Sequence, residues 1–136
     1  MKPVYFISLF LTVGILLSSC ARKMNFAPSS VVPAATGQVK IKKDNNNNYI
    51  VTVNVLNLAD PKNLNPSRNV YVVWLEDDRN ATKNIGQITS SSSMFSKALK
   101  GEVQATATSV PRRVFITAED DGNVQYPGSQ LILTTR

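Results

Sequence analysis

Val70-Tyr71-Val72-Val73-Trp74-Leu75 is the stretch that decides the fold. Its residues are apolar or aromatic at odd and even positions alike, which fits a central strand covered on both faces. Asp60-Pro61 and Asn65-Pro66 bracket a loop before it, and Glu76–Asn80 turns the chain after it. Upstream, Tyr49, Val51, Val53 and Val55 recur at period two within Tyr49–Leu58, and Val39 and Ile41 alternate with Gln38, Lys40 and Lys42. Both patterns predict strands. Asp44 and Asn45–Asn48 between them predict a hairpin, since Asn tolerates left-handed backbone and bonds its own turn. Downstream, Asn84–Ile88 is a short strand and Ser90–Ser93 a polar loop. Phe95, Leu99 and Val103 are spaced as on a helix but also share one strand face; Gly101 and the Thr106/Thr108 alternation favour a strand over Phe95–Thr108. Beyond Pro111, the β-branched run of Arg113–Glu119, the turn Asp120–Asn123 and the strand Gln130–Thr135 after Pro127-Gly128 complete the chain. About seven short strands with turns roughly every 8–12 residues predict an all-β chain, a single small antiparallel β-sandwich of immunoglobulin-like type. It is expected over 37–136, with Trp74 in its core and no disulfide beside it.

The N-terminus carries a second signal. Lys2, the apolar run Val4–Leu17 and then Leu17-Ser18-Ser19-Cys20 resemble a bacterial lipoprotein signal peptide with its lipobox. A basic start, an apolar run of about 7–15 residues and a small-residue cleavage site define such a segment. The run falls short of the roughly 20 apolar residues that span a bilayer, and Arg22 and Lys23 close it off. The resemblance implies a signal peptide over 1–19, cleavage after Ser19, and lipidation at Cys20, the only cysteine. A diacylglyceryl group, usually joined by an N-acyl chain, anchors firmly because stable attachment takes two signals. Ala21-Arg22-Lys23-Met24 contains no Asp after the cysteine, which favours the periplasmic face of the outer membrane. Residues 20–36, rich in Ser, Pro and Ala, are expected to form a flexible tether.

The second half resembles the extracytoplasmic β domain of anti-sigma-K-type factors. Val70–Leu75, Ile85-Gly86-Gln87-Ile88, Val114–Glu119 and Pro127-Gly128 follow that family's order of a Tyr-x-x-Trp-Leu strand, a Leu-Gly-like turn, a strand ending in Thr-x-Glu and a Pro-Gly loop. Trp74, Gly86, Thr117, Glu119 and Pro127 carry the match, over about half the chain. Those regulators have a cytoplasmic sigma-binding region and a transmembrane helix before this domain, where this chain has a lipobox. The resemblance therefore implies the fold and an interaction or sensing role in the envelope, without contact to a cytoplasmic sigma factor. The chain is also similar to small uncharacterised lipoproteins of Bacteroidetes-type bacteria.

Composition narrows the chemistry. The 136 residues include no histidine, which removes the commonest general acid/base near neutral pH and the commonest zinc ligand. A serine nucleophile needs a base, and no Ser-x-x-Lys occurs. No catalytic residue, cofactor or enzymatic activity is expected. The net charge of +6 is spread over Lys40, Lys42, Lys43, Arg68, Lys83, Lys97, Lys100, Arg112 and Arg113 with no interleaved aromatic ladder, which disfavours nucleic acid. Solvated strand faces account for it, with an anionic surface of lipopolysaccharide or phospholipid headgroups as the alternative. Two acidic clusters, Glu76-Asp77-Asp78-Arg79-Asn80 and Glu119-Asp120-Asp121-Gly122-Asn123, read as hairpin turns. Asp120, Asp121 and Asn123 are weak calcium candidates without EF-hand spacing. Because Val70–Leu75 is apolar on both faces, Tyr71, Val73 and Leu75 are expected to leave a partly exposed surface for a protein partner. The functional expectation is a lipid-anchored cell-envelope protein with a non-catalytic interaction or sensor module. The alternative is a structural or glycan- or lipid-binding lipoprotein.

Overall fold

A computed structural model describes residues 20–88 and 99–136. The expected signal segment with its cleavage site at Ser19, the Ser90–Ser93 loop and Phe95 lie outside these residues. Eight strands form: β1 (Arg22–Asn25), β2 (Thr36–Lys43), β3 (Tyr49–Leu58), β4 (Val70–Asp77), β5 (Thr82–Ile88), β6 (Leu99–Ala107), β7 (Pro111–Glu119) and β8 (Leu131–Thr134). They make two antiparallel four-stranded sheets, ordered β1-β2-β3-β6 and β5-β4-β7-β8. The chain crosses between sheets from β3 to β4, from β5 to β6 and from β6 to β7, the Greek-key habit of β-sandwiches. The strands expected from periodicity are all present, and the region around Leu99–Ala107 is a strand rather than a helix.

Alternation decides which side chains enter the core. Val39 and Ile41 of β2 and Val51, Val53 and Val55 of β3 point inward, none more than 5% exposed. They meet Tyr71, Val73, Leu75, Val114 and Ile116 of the opposing sheet in one cluster. On the other face of that sheet Val72, Trp74 and Phe115 form a second, smaller cluster. β4 is thus buried on both sides, as its unbroken apolar run requires.

The hairpins are built by their polar residues. Asp44 accepts hydrogen bonds from the Asn46 and Asn48 amides at 2.8 and 2.9 Å. Asn47 beside it sits at φ 64°, a left-handed conformation that Asn tolerates. At the lateral edges the two sheets draw together. Gly101 of β6 lies so close to Ile88 of β5 that a Cβ there would collide with the Ile88 side chain. Gly86 has φ +144°, a conformation open to glycine, and faces Val103 across the same seam. On the opposite edge, Phe26 bridges Thr135 and the Ala27 amide donates to Thr134 O at 2.9 Å.

Two expectations are corrected. The stretch 20–36 is not a flexible tether. Arg22–Asn25 is the eighth strand, paired with β2 from Arg22↔Ile41 to Asn25↔Gln38. Phe26, Val32 and Ala35 behind it are 8%, 6% and 3% exposed. The Ser29 hydroxyl accepts from the Val31 and Val32 amides, closing the corner. The segment shows no period because it turns between the two sheets instead of running along one face. Nor do Tyr71, Val73 and Leu75 form an accessible partner surface. They are 1%, 0% and 2% exposed, because they are the side chains that face the other sheet.

Both corners of the core make a stability prediction. Deleting a large buried aromatic costs about 3–5 kcal/mol, against a typical total of about 5–15 kcal/mol. Trp74→Ala should leave the domain unfolded or nearly so. Phe26→Ala should lower the unfolding free energy by about 3 kcal/mol in urea titration. A residue in a loose tether would leave it unchanged.

Candidate functional site

The outer face of the β5-β4-β7-β8 sheet holds the most elaborate side-chain arrangement in the protein. β4 and β7 set Trp74 opposite Phe115, with ring centroids 6.3 Å apart and planes 17° apart. The Arg113 guanidinium lies 4.6 Å from the Phe115 ring and pairs with Glu76 at 2.7 Å. Trp74 Nε1 donates to Thr117 Oγ1 at 2.7 Å, and the Thr117 hydroxyl donates to Glu119 Oε1 at 2.5 Å. The Gly128 amide donates to the same Glu119 oxygen at 2.7 Å. One chain of hydrogen bonds therefore runs from the buried indole to the Pro127-Gly128 loop.

Residues 120–130 return across this face as a strap. Arg68 clasps both of its ends, at 2.9 Å to Asp120 and 3.0 Å to Gln130 Oε1. Its middle is tied to β5, where the Asn84 side-chain amide donates to Gly122 O and Val124 O at 2.9 and 3.0 Å. Val124 packs on the Trp74 cluster. Between strap and β5 runs an open groove of about 660 Å³, whose lining includes Thr82, Asn84, Gln87, Asn123 and Gln125. Among the described residues, Lys83 is the one charged side chain in that lining. Next to Gln125, Tyr126 is 82% exposed. Amides that both donate and accept suit an uncharged polar ligand, and among the described residues no nucleophile–base pair lines the groove.

The other candidate residues are placed as follows. Cys20 is exposed and stands two residues before β1. Asp120 pairs with Arg68, and Asp121 accepts from the Asn123 amide at 2.9 Å, a bond that closes the turn. Among the described residues no three acidic, histidine or cysteine side chains gather as a metal site would need. In the first acidic cluster, Asp77 is buried and its Oδ1 accepts from the Ala81 and Arg79 amides, both at 2.9 Å. The Ala81 amide above all, with the Arg79 amide, holds its carboxyl below the usual 3.8 against the opposing effect of burial. Tyr71 donates to Ala59 O at 2.8 Å, and burial pushes its hydroxyl up to about 12, so it stays a donor.

Sequence reasoning missed the groove. Asn84, Gln87 and Gln125 carry no pattern of their own, and the cavity exists only because the strap folds back. Compared with protein-family models, with curated proteins and with solved structures, the chain matches none.

Two predictions follow from these bonds. Thr117→Val should leave the buried Trp74 indole N–H without a partner, at about 1–3 kcal/mol, while Glu119 keeps the Gly128 amide. Urea denaturation reads this, and Tyr126→Ala, altering an exposed side chain, should leave stability unchanged. For Asp77 the lowered pKa means that its stabilisation is present above 3.8 and fades as pH falls through the folded value. Asp77→Ala should therefore melt below wild type at pH 7, and the gap should close in acid below pH 3.8.

Proposed function

We propose that this chain is a lipid-anchored protein of the cell envelope whose β-sandwich is a non-catalytic interaction or sensor module. The observation that carries this reading is Cys20, the only cysteine, exposed directly ahead of the first strand and behind a lipobox-like Leu17-Ser18-Ser19. A diacylated cysteine would hold the domain firmly without a transmembrane helix. The residues after Cys20 favour the periplasmic face of the outer membrane. The lack of histidine and the amide-lined groove support binding over catalysis. The partner in this reading is another envelope protein rather than nucleic acid.

The resemblance to the extracytoplasmic domain of anti-sigma-K-type factors gains physical content here. Trp74, Thr117 and Glu119, which carry it, are the residues joined in one hydrogen-bond chain that holds the Pro127-Gly128 loop. Such a device supports a common way of seating a loop on a sheet, and a sensing role would act through that loop. A second reading, a ligand-binding lipoprotein for glycan, is favoured by the groove itself. Its amides match sugar hydroxyls, and an exposed Tyr126 offers a ring face.

Metabolic labelling with radioactive palmitate tests the anchor. Wild type should incorporate label and Cys20→Ser should not, leaving an unprocessed or mislocalised precursor. Equal label on both would reject the lipoprotein reading.

A further inference from the structure

The β1–β2 edge of the sandwich carries a concentration of positive charge that no acidic side chain among the described residues pairs with, although Lys43 lies 5.8 Å over the Tyr49 ring. Arg22, Lys23, Lys40, Lys42 and Lys43 are all exposed there. Between residues 20 and 59 they face a single acidic residue, Asp44, whose oxygens are occupied by the amides of its own hairpin. Lys23 and Lys40 stand directly opposite each other in the antiparallel ladder. Lys42 lies on the same face, two residues further along β2. Like charges directly opposite each other weaken a strand pair. The row continues through Thr52 and Gln104 without an acid, and Glu102 comes only in the next row away from the Cys20 end. The cations are thus gathered at the end of the sheet where β1 begins.

That end is also where Cys20 stands. Arg22 is fastened there, its guanidinium donating to Pro111 O of the other sheet, so β1 is tied to both layers at its first residue. Two residues of extended chain reach at most about 7 Å. Lipid on Cys20 would therefore hold this face within about one Debye length, ~8–10 Å, of a bilayer surface, where salt does not screen its attraction to anions. A longer tether would have left the domain free to tumble.

We propose that the basic face of Lys23, Lys40 and Lys42 docks on anionic phospholipid headgroups and sets the domain's orientation on the membrane, with Arg22 and Lys43, which alternate to the other side of the same strands, adding charge at that end. This rests on the lipid-anchor reading for proximity but not for its chemistry. Each basic residue near an anionic surface raises affinity about fivefold. Three of them on one face beside an acyl anchor make a preferred orientation, with the groove and Tyr126 on the other sheet, away from the lipid.

Lysine footprinting tests the proposal. The full chain, produced in a bacterial host and purified in detergent, is added to preformed vesicles of phosphatidylcholine alone or with one part in four phosphatidylglycerol. It is then acetylated with a water-soluble reagent and digested for mass spectrometry. Lys23, Lys40 and Lys42 should react severalfold more slowly on the anionic vesicles, with the contrast lost in high salt. Lys62 and Lys100, away from this end, should react alike on both. Lys40→Gln with Lys42→Gln, changes at exposed positions, should restore the reactivity of Lys23. Equal reactivity of these lysines on both vesicles would overturn the proposal, including the case in which a protein rather than lipid covers this face. The Cys20 peptide in the same digest separates the two readings. An unlipidated Cys20 with protected lysines rejects the anchor and keeps the docking face. A lipidated Cys20 with unprotected lysines does the reverse.

Discussion

The structure depends on the burial of β4 from both sides. A strand with Tyr71, Val73 and Leu75 on one face and Val72 and Trp74 on the other cannot lie at the surface of a two-layer sandwich without a second cover. The opposing sheet supplies one cover and the 120–130 strap supplies the other. The indole N–H of Trp74 needs a partner once it is fully enclosed, and Thr117 and Glu119 provide it while also seating the Gly128 amide. Packing and hydrogen bonding are therefore satisfied by the same few residues. The strap is held at its ends by Arg68 and at its middle by Asn84.

This arrangement moves the accessible surface. The apolar side chains of β4 are consumed by the fold, and the surface of this sheet is formed by the strap and the outward face of β5. The groove between them is bounded by residues that also keep the strap in place, Asn84 above all. Asn84 both lines the groove and holds the middle of the strap.

The other constraint is the shortness of the link before β1. With Phe26, Val32 and Ala35 built into the core, hardly any chain remains between Cys20 and the folded domain. A lipid on that cysteine would then dictate proximity, and the uncompensated cations of β1 and β2 would dictate which way the sandwich faces.

The strands were legible in the amino-acid order because alternation is a local property. Val51, Val53 and Val55 announce a half-buried strand whatever they pack against, and Asp44 with its four asparagines announces a hairpin. The doubly apolar run of β4 likewise announced two covers. What covers each face was not legible, since it depends on contacts between residues distant in the chain. The sequence of Tyr71, Val73 and Leu75 suits a partner surface as well as a core, and the opposing sheet takes them. Arg22–Asn25 gave no strand signal, because its pairing is stabilised by the free edge of β2 and by Phe26 filling the seam beside Thr135, both supplied from elsewhere. The groove beside Asn84 and Gln87 has no sequence signature at all. It is a gap between a strand and a strap brought together only by the tertiary fold. The sequence by itself determined the all-β character and the places where the chain turns. The tertiary structure decided which apolar faces are core and which polar residues face solvent, because burial is a relation between segments and not a property of any one of them.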